Sequence, residues 1–131
     1  ERSRGLGDVY KRQLLQCQPW SHSNAYKKDL SELYYIASQN YGYLGNYKKA
    51  IEKIDACIAL DQNRDEVTDS YKNYYQSAIV RLAAYRQCNA PRYLSEALAH
   101  LDLAEVSALK CGTDEAEDYL KSIRELRKSL V

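Results

Sequence analysis

Five stretches of this chain carry apolar residues at steps of three and four, and short polar or glycine-containing breaks separate them. The first begins near residue 25 and holds Leu30, Leu33, Tyr34, Ala37, Tyr41 and Leu44. Such steps place side chains on one face of an α-helix. Gly45 and Asn46 break it. A second stripe, Ala50, Ile51, Ile54, Cys57 and Ile58, ends at a polar turn over residues 61–64. The third runs from Val67 through Tyr71, Tyr74, Tyr75, Ala78, Ile79 and Leu82 to Tyr85, ending near Arg86. Pro91 suits the first turn of a fourth helix, because proline has no amide hydrogen to leave unpaired there. That helix holds Leu94, Ala97, Leu98, Leu101, Ala104 and Ala108, and Leu103, Val106 and Leu109 widen its stripe toward contact on two sides. Gly112 stops it, and Thr113 is placed to cap a fifth helix carrying Ala116, Tyr119, Leu120, Ile123 and Leu130. No segment alternates with the period of a strand. The expected fold is all-α.

Composition supports this. Ala and Leu together number 30, against 13 for Val, Ile and Thr together, a balance that favours helix over strand. The aromatics are 13 Tyr, one Trp and no Phe. Each buried tyrosine must bring its hydroxyl to water or to an acceptor, so thin helix layers are expected in place of a deep core. A net charge of +1 excludes a chain held on nucleic acid by bulk electrostatics. No apolar run approaches the ~20 residues of a membrane span.

The chain contains no Met. Residues 1–13 (ERSRGLGDVYKRQ) resemble a translated sequencing-adapter peptide, a segment foreign to the fold. They hold four basic and two acidic residues, so the net charge without them is −1 instead of +1. Residues 1–24 are therefore read as artefact and irregular leader, and residues 25–131 as the helical domain. The native N-terminus, with any signal it carried, is expected to be missing, and the domain to be a fragment of a longer array.

Residues 33–60 (LYYIASQNYGYLGNYKKAIEKIDACIAL) resemble a tetratricopeptide repeat. Tyr34 fills the large aromatic slot, Ala37 and Ser38 stand where the family usually has Leu-Gly, and Tyr41 follows. Leu44, Gly45, Asn46 and Tyr47 form the turn, Ala50 the close-contact slot, then Ile54, with Cys57 in place of the usual Ala. Small Ala50 and Cys57 let two helix axes approach, while Tyr34 and Tyr41 fill the wedge between them. The second helix pair departs from the pattern. Ser38 to Ala50 spans 12 residues but Tyr75 to Ala97 spans 22, and the turn motif does not recur. The resemblance implies a short right-handed α-solenoid of antiparallel helix pairs with a C-terminal capping helix. It also implies a scaffold whose concave groove binds a peptide or helix of a partner protein. The side chains it would present are Glu32, Tyr35, Gln39 and Tyr43, then Asp69, Lys72 and Gln76. Tyr35 and Gln39 stand where chaperone-tail receptors of the family have Lys and Asn, which argues against that ligand. Tyr35 and Tyr43 suit apolar or proline-containing segments; contact with a missing upstream repeat stays open for them.

Signs of bond chemistry are few. Cys17, Cys57, Cys88 and Cys111 lie at no metal-finger or redox spacing, and Cys88 and Cys111 flank a helix too long to bridge. Free thiols favour a reduced, cytoplasmic setting. His22 and His100 stand alone, and His100 beside Glu96 reads as a surface contact. The acids over residues 114–118 read as the first turn of a helix. There is no phosphate-cradling loop and no nucleophile elbow. The expectation is a non-enzymatic module with no metal or cofactor, a protein or peptide partner, no nucleic acid and no membrane segment. Two other readings stay open. One is a sensory helical domain of a transcription regulator, binding a signalling peptide or small ligand. The other is a structural solenoid segment that forms homo-oligomers through Tyr71, Tyr74 and Tyr75.

Overall fold

The structure, a computed structural model, describes residues 24–64 and 67–130. The readings made of residues 1–23, including the adapter-like segment, Cys17 and His22, lie outside the described residues. Five helices follow in order: α1 (Asn24–Tyr43), α2 (Tyr47–Gln62), α3 (Ser70–Cys88), α4 (Pro91–Cys111) and α5 (Asp114–Leu130). The described residues contain no strand.

The breaks fall where backbone chemistry requires them. Gly45 has φ 78° and Gly112 φ 68°, left-handed conformations that end α1 and α4 without a Cβ clash. Asn46 caps α2, its side chain accepting from the Lys49 amide at 3.2 Å. Thr113 caps α5 by accepting from the Ala116 amide at 3.2 Å. Asn89 closes α3 in the left-handed region at φ 56°, and Pro91 opens α4. Two boundaries shift from expectation. Leu44 lies beyond the end of α1 and is 79% exposed. Val67 precedes α3, which starts only after Asp69 at its N-cap position.

Consecutive helices pack on one another. In addition α1 touches α3, and α3 touches α5, whereas no Cα of α2 comes within 8 Å of one of α4. Small residues set the approach: Ala50, Cys57, Ala78, Ala97, Ala104, Ala108 and Ala116 are all fully buried. Tyr34 and Tyr41 pack against the cluster of Ala50, Ile54, Cys57 and Val80, so the small and bulky residues of the first helix pair do meet. Two buried serines stitch α1 to α2. Ser38 Oγ donates to the Ala50 carbonyl at 2.8 Å, and Ser31 Oγ lies 3.2 Å from Cys57 Sγ. Burial pushes the Cys57 thiol up to about 11.

Several residues counted on core stripes face solvent instead. Leu33 is 63% exposed, and Leu103, Val106 and Leu109 are about half exposed. α4 does pack on two sides, against α3 and α5, but Leu103, Val106 and Leu109 stay outside the fully buried core of both contacts. The third helix differs too. Tyr71 is buried, and Tyr74 and Tyr75 pack against the core, so these three do not form an open dimerisation surface. The Tyr119 ring packs edge-on against Tyr71 and Tyr75, with centroids 5.1 and 5.5 Å away.

Candidate functional site

The seven side chains singled out from sequence line the junction of α1 and α3. Asp69, Lys72 and Gln76 each stand 37 residues after Glu32, Tyr35 and Gln39. Because α1 and α3 touch along one side, these pairs fall at successive levels of the same face. They divide between two cavities. Glu32, Tyr35, Asp69 and Lys72 line one of about 260 Å³, together with Lys28, Ser31, Ile36, Asp61, Arg64 and Asn73. Gln39, Tyr43 and Gln76 line the other, of about 270 Å³, with Gly42, Tyr47, Ile79, Val80 and Ala83.

The two cavities differ in chemistry. The first holds Lys28, Arg64 and Lys72 against Glu32, Asp61 and Asp69. Asp61 is buried and accepts from Arg64 Nη1 at 2.6 Å and from Asn73 Nδ2 at 2.5 Å. Arg64 Nε is enclosed without a hydrogen-bond partner among the described residues. Among the described residues no charged side chain stands on the wall of the second cavity; Gln39 and Gln76 supply amides, and Tyr43, Tyr47 and Ile79 supply apolar surface. Gln76 Nε2 donates to Ser38 Oγ over a long 3.4 Å, and Tyr43 is 86% exposed.

Not all seven side chains are free to meet a partner. Lys72 Nζ pairs with Glu115 of α5 at 2.7 Å, and that hydrogen bond raises its pKa. Tyr35 is half-buried, and burial, then the nearby Tyr119 hydroxyl, push its pKa up. Tyr35 also packs against the α1–α2 core cluster. The first half of α5 thus reaches across α3 to two groups expected to face a ligand. Glu32, Tyr43 and Asp69 remain exposed, and Gln39 and Gln76 are half-exposed.

On another side of α3 lies a polar ridge that sequence reading passed over. Asn73, Ser77 and Arg81, at four-residue steps, are all buried. Arg81 Nη2 donates to Asp55 of α2 at 2.9 Å, and Nε to Glu96 of α4 at 3.2 Å. Arg81 also donates to Ser77 Oγ, which lies 2.5 Å from His100 Nδ1. Burial, then the Arg81 charge, lower the His100 pKa. His100 was expected to pair with Glu96 at the surface; it is half-buried, and its hydrogen bond is to Ser77. The signal was present as a polar residue every fourth position inside an apolar helix. Ser77 is fully enclosed, so the Ser–His contact gives no exposed nucleophile.

Among the described residues no group of three or more His, Cys, Asp or Glu is gathered closely enough to hold a metal ion. No described helix is long and apolar enough to cross a membrane. Cys57, Cys88 and Cys111 are free thiols. No protein-family model, no curated protein and no solved structure matches the chain at a significant level.

Proposed function

We propose that this chain is a protein-interaction module of tetratricopeptide type, which holds a segment of a partner protein against the α1–α3 face and carries out no bond chemistry. The observation that carries the reading is the convergence of all seven side chains on two adjoining cavities along that face. The helix order supports the solenoid: α1, α3 and α5 touch in turn, while α2 and α4 stay apart, as in a stack curved toward α1, α3 and α5. A partner's acceptor near Arg64 Nε would satisfy a donor that is costly to leave unpaired.

The test is a cross-linked pull-down with the full chain, with circular dichroism as the folding control. Tyr43→Ala together with Gln76→Ala should lose the partner while helicity stays constant. Unchanged recovery with both mutated would remove the assignment of this face.

A second reading, self-association, draws on the exposed Leu103, Val106 and Leu109 of α4. A mass that rises with concentration in light scattering, and falls with Val106→Glu, would favour it.

A further inference from the structure

The charged cavity of about 260 Å³ lies where α1, the end of α2 and the start of α3 meet. Part of its charge is engaged inside the fold. Asp61 accepts from Arg64 Nη1 and from Asn73, and Lys72 is held by Glu115. Four groups are left over. Arg64 Nε keeps a hydrogen without an acceptor, although the side chain is only 13% exposed. Lys28, Glu32 and Asp69 line the same cavity, and their side chains make no hydrogen bond or ion pair among the described residues. Asp69 stands at the N-cap position of α3, yet its carboxylate does not cap the helix. Two carboxylates, one from α1 and one from the head of α3, thus face one cavity with no cation bound to either.

We infer that this cavity binds a free α-amino acid with an uncharged side chain, its carboxylate accepting from Arg64 and Lys28 and its ammonium donating to Glu32 and Asp69. An enclosed donor left unpaired keeps its full desolvation cost, so Arg64 Nε calls for an acceptor. A carboxylate is the strong acceptor for a guanidinium. A plain anion would be repelled by Glu32 and Asp69. A plain cation would answer those acids but would be repelled by Lys28 and leave Arg64 Nε unpaired. A molecule with both charges close together satisfies all four groups, and an α-amino acid carries them on one carbon.

Size and lining agree. Pockets for drug-sized ligands run from about 300 to 1,000 Å³, and this one is smaller. Tyr35 and Ile36 also line it and offer an apolar wall to the side chain of the ligand. A charged residue within a partner protein brings one charge where the cavity asks for two, so the ligand is a small molecule and not the partner segment proposed above. The inference does not rest on that reading, whose test falls on Tyr43 and Gln76 of the other cavity.

The experiment is isothermal titration of the full chain with each free amino acid of uncharged side chain. At least one should bind in the millimolar range or tighter, one molecule per chain. Its N-acetyl and its amide derivatives, each lacking one of the two charges, should bind about tenfold more weakly or worse. Lys28→Gln, Glu32→Gln and Asp69→Asn, all at exposed positions, should each weaken it by about fivefold or more with circular dichroism unchanged. Arg64→Lys, which keeps the charge and loses the Nε donor, should do the same; if it fails to fold, the three exposed variants decide. An acetylated or amidated form that binds as well as the parent marks a site for a lone anion or cation and overturns the inference. Affinity unmoved by the three exposed variants, or no binding by any of these amino acids at about 10 mM, overturns it too. Either failure leaves the partner reading to its own pull-down.

Discussion

Replacing Arg81 with Met tests whether one buried cation ties the outer helices together. The guanidinium is the direct link seen between α2 and α4, whose backbones do not meet. Its side chain is 8% exposed, while the carboxylates of Asp55 and Glu96 are each 47% exposed. A hydrogen bond to a charged group is worth about 1.5–3 kcal/mol where both partners are shielded. Solvent at the carboxylates reduces each of these two to about 1 kcal/mol or less. Methionine keeps much of the aliphatic packing and removes the cost of burying a cation, which offsets part of the loss. The net destabilisation of Arg81→Met should be about 1–2 kcal/mol. For a domain of this size that is a fall in Tm of roughly 3–12 °C. Arg81→Ala, which also loses the stem, should cost about 3 kcal/mol. Urea unfolding followed by circular dichroism reads the change as a lower midpoint with an unchanged slope. Asp55→Asn and Glu96→Gln should each cost less than Arg81→Met, and almost nothing further once Arg81 is gone. An Arg81→Met midpoint within about 0.5 kcal/mol of the parent, the range of ordinary surface changes, would refute the bridge as a holding element.

Two further outcomes follow from buried titratable groups. His100 has its pKa lowered in the fold by burial and by Arg81, with Asp55 and Glu96 opposing. The unfolded chain therefore binds the proton first, and the stability tied to neutral His100 is full above the ordinary imidazole value of 6.5 and lost as pH falls through the folded value. Thermal unfolding at about pH 7.5 and 5.5 should show a drop that His100→Gln, which cannot titrate, reduces; an equal drop in both proteins would reject His100 as its source. Cys57, buried with its thiol pushed up to about 11, should resist a thiol reagent at about pH 8 until the chain unfolds, while exposed Cys88 reacts at once. Native labelling of Cys57 as fast as Cys88, located by peptide mass, would contradict the packing of α1 on α2.

The helices were legible because their periods and breaks agree. Gly45, Asn46, Gly112 and Thr113 each perform in the structure the backbone task their chemistry suggested. Small residues at Ala50 and Cys57 announced close approach, and both are fully buried. Periodicity could not say which apolar residues end up covered. Leu33 and Leu103 have the spacing of core positions, yet coverage depends on where a neighbouring helix lies, and that is a tertiary fact. The seven residues singled out for a groove lie along the junction of α1 and α3. What stayed hidden was the engagement of Tyr35 and Lys72 by α5, because Tyr119 and Glu115 are more than 40 residues away in sequence and no local pattern links them.

The position of α3 explains both the hidden ridge and the open face. It contacts all four other helices, so it cannot sort its residues into one apolar and one polar side. Ala78 and Leu82 serve the α4 side, and Val80 joins the α1–α2 cluster. Asn73, Ser77 and Arg81 fill the space between α2 and α4, where polar groups meet polar partners. What remains of α3 is the row of Lys72, Gln76, Ile79 and Ala83 beside α1. Lys72 shares a cavity wall with Tyr35 of α1, and Gln76, Ile79 and Ala83 share the other with Gln39 and Tyr43. Chemistry therefore changes from ionic to amide to apolar along one direction of the face. A bound segment charged at one end only would be read with a fixed polarity, because reversing it would bring that end to the uncharged cavity, where its desolvation has no compensating partner.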